Sequence, residues 1–409
     1  MVHNTAIAQP EMLIQETDMR QTLKPKRIEN LHISPFNSDG WNPRYVVKDP
    51  TGEFYISTGK GGITLLEMLD GQHTLDELQQ KLLTEHRMNF TLPKIESFVD
   101  MCNRSNLLEV GSWVEVTAEE RKKAKKKRMG GRLGFYKQLI GGERLLNWLM
   151  THQGWWYNRV TAVFALIFIF IGLGFAIFPP EQGGFAAPIN QIGMNPADLY
   201  LTLLPLIFLV EISFHELAHS LACRVFGAQA GGFGFGLVWG VVPVFYTKTT
   251  DAYTIDNKYK RMMVSAAGPL VDLAFLGMFG LITLLTPADT LAHRLALGYT
   301  AFPLSVILIN LNPFLIRMDG YWILSDYLEL PNLRRSAIRY LSTTLRHWLG
   351  LADKADSLAE PLTDSRRHRL IYSLYGLVSV IWTVTFVSIF VYSIGQSVAG
   401  LLMQLTGAG

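Results

Sequence analysis

Five stretches of this chain are each long and apolar enough to fill the roughly 30 Å hydrocarbon core of a bilayer. They run at about Val160–Phe178, Leu199–Ala222, Met262–Leu285, Leu295–Leu315 and Ile371–Gly395. In lipid every backbone polar group must be satisfied internally, which helices do and irregular chain does not. The expected architecture is therefore a mainly α, polytopic membrane protein with about five transmembrane helices. Charged residues are only 17% of the 409, against roughly 25% in soluble proteins. That deficit begins at about Val160, and residues 1–150 read as a soluble segment. The first and last stretches carry no charge, whereas the second and third do. Charge at membrane depth marks working helices.

Basic residues set the expected orientation. Residues 179–198 contain no Lys or Arg, and between the third and fourth stretches there is only Arg294. Arg121–Arg132 holds eight basic residues, and 316–370 holds nine. The positive-inside rule, with five spans, then puts the N-terminus in the cytoplasm and the C-terminus outside. No charged-then-apolar signal peptide opens the chain, so the first span is expected to direct insertion. The two cysteines, Cys102 and Cys223, make neither a disulfide framework nor a thiolate metal site. A net charge of +3 calls for no nucleic-acid partner. The run Arg121–Arg132, without interleaved aromatics and some thirty residues before the first span, reads as a contact with anionic lipid.

Following a tail at 1–36, residues 37–112 have the pattern of a small α+β domain. Residues 43–57 alternate about a Pro-Thr-Gly turn, as a β-hairpin does. Gly61–Leu69 has helical spacing, and Asp70-Gly71 stops it. Thr74 is placed to cap a second helix, Leu75–His86, and Pro93 to open a third with Ile95, Phe98, Val99 and Cys102 inward. Leu107–Val110 is expected to return as a strand, which completes a winged-helix-like arrangement. A basic juxtamembrane linker (113–154), a membrane core (155–320), a cytoplasmic amphipathic segment (321–369) and a final helix with its tail (370–409) follow. In the amphipathic segment, Tyr321, Trp322 and Tyr327 are expected at the lipid interface.

The second stretch contains E-I-S-F-H-E-L-A-H-S, residues 211–220. His215 and His219 are one turn apart and can share a metal ion, with Glu216 between them as a base. A catalytic zinc takes three protein ligands, so a third must come from elsewhere. The fourth stretch ends I-N-L-N-P-F-L-I-R-M-D-G-Y. Pro313 breaks the helical ladder and Asn312 before it is disfavoured in helix, which frees Asp319, beside Gly320, to reach the site as the third ligand. Glu211, one turn before His215, is a candidate to orient that imidazole or to be solvated by the cavity. Asn312 and Asp272 are further candidates for support around the ligands. Residues 231–246, too short and too rich in glycine to span, read as a re-entrant strand or hairpin beside the site, or as a structural plug.

Two resemblances extend this reading. The phrase R-Y-V-V…F-Y-I-S…G-G-I-T-L-L-E-M-L-D-G…T-L-D-E-L resembles the PqqD family over residues 37–110. That resemblance implies binding of the leader segment of a ribosomally made peptide, added as a strand to the hairpin edge. F-H-E-L-A-H-S, with N-P…M-D-G where Asp319 follows His215 by 104 residues, resembles the site-2 proteases, intramembrane zinc metalloproteases. A-A-G-P-L-V-D-L (266–273) resembles that family's Gly-Pro helix, and the run beginning at Asp319-Gly320 resembles a bacterial peptide zinc metalloprotease branch. Over residues 155–345 this implies one zinc per chain on His215, His219 and Asp319, with Glu216 as general base. The implied substrate is a ribosomally made peptide or a membrane-anchored protein, and the implied partners are a peptide exporter or modification enzymes. Two departures stand out: one extra residue between Asn312-Pro313 and Asp319-Gly320, and Asp272 where the family often has Asn. The rival reading is a non-catalytic membrane peptide receptor or export component, in which Glu216 is dispensable.

Overall fold

The computed structural model describes residues 20, 22–36, 43–50, 55–117, 119, 133–138, 142–152, 158–177, 199–230, 233–238, 242–247, 249–351 and 366–406. The basic run Arg121–Arg132 and the segment 179–198 lie outside them. Two compact units result. One comprises Met1–Lys137, Phe235–Val244 and Thr250–Asn257; the other comprises Gln138–Gly234, Phe245–Thr249 and Lys258–Gly409.

The first unit contains an antiparallel sheet of order β1-β2-β3, formed by His32–Pro35, Arg44–Lys48 and Tyr55–Gly59. The expected hairpin is β2-β3, with Arg44 opposite Gly59 and Lys48 opposite Tyr55. β1 was not expected, because four residues ending in proline carry little periodic signal. Three helices follow: α1 (Lys60–Glu67), α2 (Leu75–Thr84) and α3 (Leu92–Arg104). Thr74 caps α2 through a reciprocal capping box, its N–H donating to Glu77 Oε2 at 2.8 Å. Pro93 stands in the first turn of α3, where its missing N–H costs nothing. Val47 and Ile56 from the sheet, Leu66 and Leu69, Leu78 and Leu82, and Ile95, Val99 and Cys102 close one core. Leu107–Val110 does not form the expected strand. Asn106 and Gly111 both have positive φ and bracket it, leaving a single bridge between Leu108 and Arg27. The segment Thr250–Asn257 belongs to this unit because Asp251 accepts from Lys48 Nζ at 2.6 Å and from the Tyr55 hydroxyl.

The second unit is helical. Its members are α4 (Gly142–Thr151), α5 (Arg159–Ile177), α6 (Leu199–Val225), α7 (Lys258–Leu285), α8 (Leu291–Leu311), α9 (Asp319–Tyr327), α10 (Leu333–Trp348) and α11 (Arg366–Thr406). Strands β4 (Leu133–Gln138), β5 (Phe233–Val238) and β6 (Val242–Thr247) make a second sheet in that order, most of whose residues fall in the first unit, and the described parts of the glycine-rich segment are extended. α7 is the central helix, packed by α5, α6, α8 and α9. It meets α5 at Gly172 and Gly277, where a Cβ on either would strike a carbonyl oxygen of the other helix. Small residues permit such backbone approach in membranes.

Among the described residues, three helices are long and apolar enough to cross a membrane: Leu203–Val225, Lys258–Leu285 and Arg366–Ile389. The outer faces of α6, α11 and α5 carry exposed Leu209, Val210 and Phe214, Ile381 and Val384, and Phe164 and Phe170, respectively. Large apolar surface turned outward in this way fits a lipid environment. The other two expected spans fall on α5 and α8, which have 19 and 21 residues.

The chain between α8 and α9 is unwound, as the Asn312-Pro313 pair predicts. Its buried carbonyls still need donors. Tyr375 donates to Pro313 O at 2.9 Å, Ser379 to Phe314 O at 2.7 Å, and Arg334 to both Phe314 O and Leu315 O. Tyr321 corrects the interfacial expectation. It is fully buried with Leu330, Leu333, Ala337, Tyr372 and Tyr375, whereas Tyr327 is exposed.

Candidate metal centre

α6 brings His215 and His219 to one face because they are four residues apart. Their Nε2 atoms lie 3.2 Å from each other. What turns both rings the same way is α7. Nδ1 of His219 is 2.7 Å from the carbonyl oxygen of Val264, and Nδ1 of His215 is 2.7 Å from Asp272 Oδ1. A carbonyl can only accept, so Nδ1 of His219 holds a proton, and in the neutral ring Nε2 keeps the lone pair that a metal needs.

Between Val264 and Asp272, one turn from each, stands Gly268. A Cβ at this position would overlap Nε2 of both histidines. The glycine keeps open the volume in front of the two lone pairs. The fourth wall is Asp319, the first residue of α9. Its Oδ2 is 3.1 Å from His215 Nε2, and its Oδ1 is 3.5 Å from His219 Nε2. Gly320 allows this return of the chain, since a Cβ there would overlap the backbone carbonyl of Leu311.

These three residues are a group able to hold a metal ion, with ligand atoms all within 4.8 Å of one another. Ligands about 2.05 Å from a tetrahedral zinc stand roughly 3.3 Å apart, which matches the separations of 3.1, 3.2 and 3.5 Å found here. Both histidines are buried. Two imidazoles and a carboxylate, leaving one tetrahedral position open, form a donor set suited to catalytic zinc.

Asn310 holds Asp319 by two reciprocal bonds. Its Nδ2 donates to Asp319 Oδ2 at 2.8 Å, and its Oδ1 accepts from the Asp319 N–H at 3.2 Å. Asn312, the candidate singled out by sequence, instead ends α8, its Oδ1 accepting from the N–H groups of Phe314 and Leu315. The signal for Asn310 was its place in the last turn of the helix, two residues before the cap. Glu211 does not take the Nδ1 of His215, because Asp272 occupies that position. Glu216 Oε2 accepts from the N–H of Thr247 at 3.0 Å and from its hydroxyl at 3.2 Å. Thr247 was missed, lying just beyond the glycine-rich segment.

No family model matches the chain, and no solved structure matches it. Among curated proteins, it is 28% identical over 144 residues to the "Putative peptide zinc metalloprotease protein YydH" of Bacillus subtilis (strain 168). That match takes in 35% of this chain and 52% of the relative, so it spans about half the length of that protein. The distant, partial likeness supports a metalloprotease and agrees with a centre built of two histidines and an aspartate.

Proposed function

We propose that this chain is an intramembrane zinc metalloendopeptidase of the site-2 protease type, hydrolysing peptide bonds near the cytoplasmic face. The observation that carries the reading is the meeting of His215, His219 and Asp319 across 104 residues of sequence, with Glu216 on the turn between the histidines. His215, His219 and Asp319 would hold one zinc per chain. When bound, zinc supplies Lewis acidity, which acidifies water and polarises a peptide carbonyl. Glu216 takes the proton from the attacking water and delivers it to the leaving amine as the carbon–nitrogen bond breaks. Asp272 and the Val264 carbonyl keep both imidazoles turned inward, and Asn310 keeps Asp319 facing them.

In this reading five helices span a bacterial inner membrane, with the N-terminus cytoplasmic and the C-terminus outside. The N-terminal α+β domain is of the PqqD-like, winged-helix type and receives a ribosomally made peptide, with an exporter or modification enzymes as neighbours; a membrane-anchored protein is the second substrate class. Glu216→Gln should keep zinc and lower turnover by about 100-fold or more. The test compares small proteins in cells carrying wild-type and Glu216→Gln protein. Accumulation of an uncut peptide supports the reading, and an identical peptide profile with full zinc occupancy sinks it in favour of a non-catalytic receptor.

A further inference from the structure

A carboxylate that moves a proton must be held, because a glutamate on a helix otherwise samples several rotamers. Glu216 is held from outside its helix. Thr247, 31 residues on and the last residue of β6, donates its N–H to Glu216 Oε2 at 3.0 Å. Its hydroxyl lies 3.2 Å from the same Oε2 and 3.1 Å from the backbone carbonyl oxygen of Glu216. One hydroxyl proton is thus shared between a side-chain and a main-chain acceptor of a single residue. Both donors fall on Oε2, and among the described residues no hydrogen bond is made to Oε1. The branched Cβ of threonine restricts its own rotation, so the hydroxyl is a stiff partner.

We propose that Thr247 is a positioning residue for Glu216, pinning Oε2 so that Oε1 is the oxygen presented to water and to the leaving amine. This rests on the reading of Glu216 as the base. The end of β6 thereby becomes part of the proton-transfer apparatus.

Acetohydroxamic acid is a probe that needs no knowledge of the substrate. It chelates zinc as its anion and leaves its proton to a neighbouring carboxylate. Calorimetric titration into zinc-loaded, detergent-solubilised full chain compares wild type, Thr247→Val, Thr247→Ser, Glu216→Gln and the Thr247→Val/Glu216→Gln double variant, each checked for one zinc per chain. Loss of a hydrogen bond to a charged group predicts binding roughly 10-fold weaker for Thr247→Val, with Thr247→Ser close to wild type. In the Glu216→Gln background Thr247→Val should add no further loss. Unchanged binding by Thr247→Val, or an equal loss in both backgrounds, overturns the inference while leaving the hydrolase reading intact. If Thr247→Val fails to retain zinc, Thr247→Ala takes its place; loss of zinc from both assigns Thr247 to the fold and overturns the inference too. A wild-type protein that holds zinc and binds no hydroxamate fails the hydrolase reading itself, and this inference with it.

Discussion

Asp272 Oδ1 lies 2.7 Å from Nδ1 of His215, so the ring that offers its other nitrogen to a metal is oriented by a carboxylate on a different helix. Such partners fix ring orientation and raise ligand basicity, and losing one typically costs 10- to 100-fold in metal affinity. Asp272→Leu should therefore weaken zinc binding by about 10-fold or more. Asp272→Asn should retain most of it, since the amide oxygen still accepts from Nδ1. Competition against a chelator of known affinity measures both. Equal affinity for wild type and Asp272→Leu would remove Asp272 from the site.

Gly268 permits a sharper test, because one methyl group separates an open site from a blocked one. A Cβ there would overlap Nε2 of both histidines. Pro269 follows in the same helix and disfavours a Cβ-bearing residue before it, but the helix runs 28 residues from Lys258 to Leu285, and one strained position leaves it helical. Gly268→Ala should thus keep the helical circular-dichroism spectrum and lose bound zinc. A variant that is folded and still carries one zinc per chain contradicts the described geometry.

The parts of this molecule legible in sequence are those fixed by neighbours along the chain. His215 and His219 meet because a helix repeats every 3.6 residues, Thr74 caps α2 because Glu77 is three residues on, and Pro313 unwinds the chain wherever it stands. Asp319 was reachable as well, since an acid beside glycine at the broken end of an apolar stretch has few other uses. Asp272, Val264 and Thr247 are different. Each acts on α6 from another element, and which of two acids meets Nδ1 of His215 depends on how α6 and α7 pack, not on spacing. Glu211 was the natural local choice, and packing preferred Asp272. The same holds for Asn310 and Asn312, since only the path of the unwound chain decides which one faces Asp319.

Those two asparagines separate cleanly in an experiment. Asn310 makes reciprocal bonds with Asp319, whereas Asn312 satisfies the N–H groups of Phe314 and Leu315. Asn310→Leu should weaken zinc binding by roughly 10-fold, the scale expected for a group behind a ligating carboxylate. Asn310→Asp should do worse, because it places a like charge beside Asp319. Asn312→Ala should leave zinc affinity near wild type and lower stability by about 1 kcal/mol, the usual net worth of a lost hydrogen bond. A larger zinc defect in Asn312→Ala than in Asn310→Leu would reverse the assignment.

In the N-terminal unit the capping box of α2 gives a prediction in which pH matters. The Glu77 carboxyl is held below the ordinary glutamate range, chiefly because the Thr74 N–H donates to it. A carboxylate lowered in the folded state stabilises that state above its unfolded pKa, and the contribution is lost as pH falls through the lowered value. Hydrogen exchange of the α2 amides, compared between wild type and Glu77→Ala at equal pH, should show greater protection of the wild type at pH 6. That advantage should shrink toward pH 3, where the carboxylate is neutralised. Thr74→Ala, which removes the other half of the box, should speed exchange by about 5-fold at pH 6, corresponding to roughly 1 kcal/mol for a lost N-cap. An α2 helix equally protected in all three proteins at pH 6 would mean that packing of Leu75, Leu78 and Leu82 alone holds it.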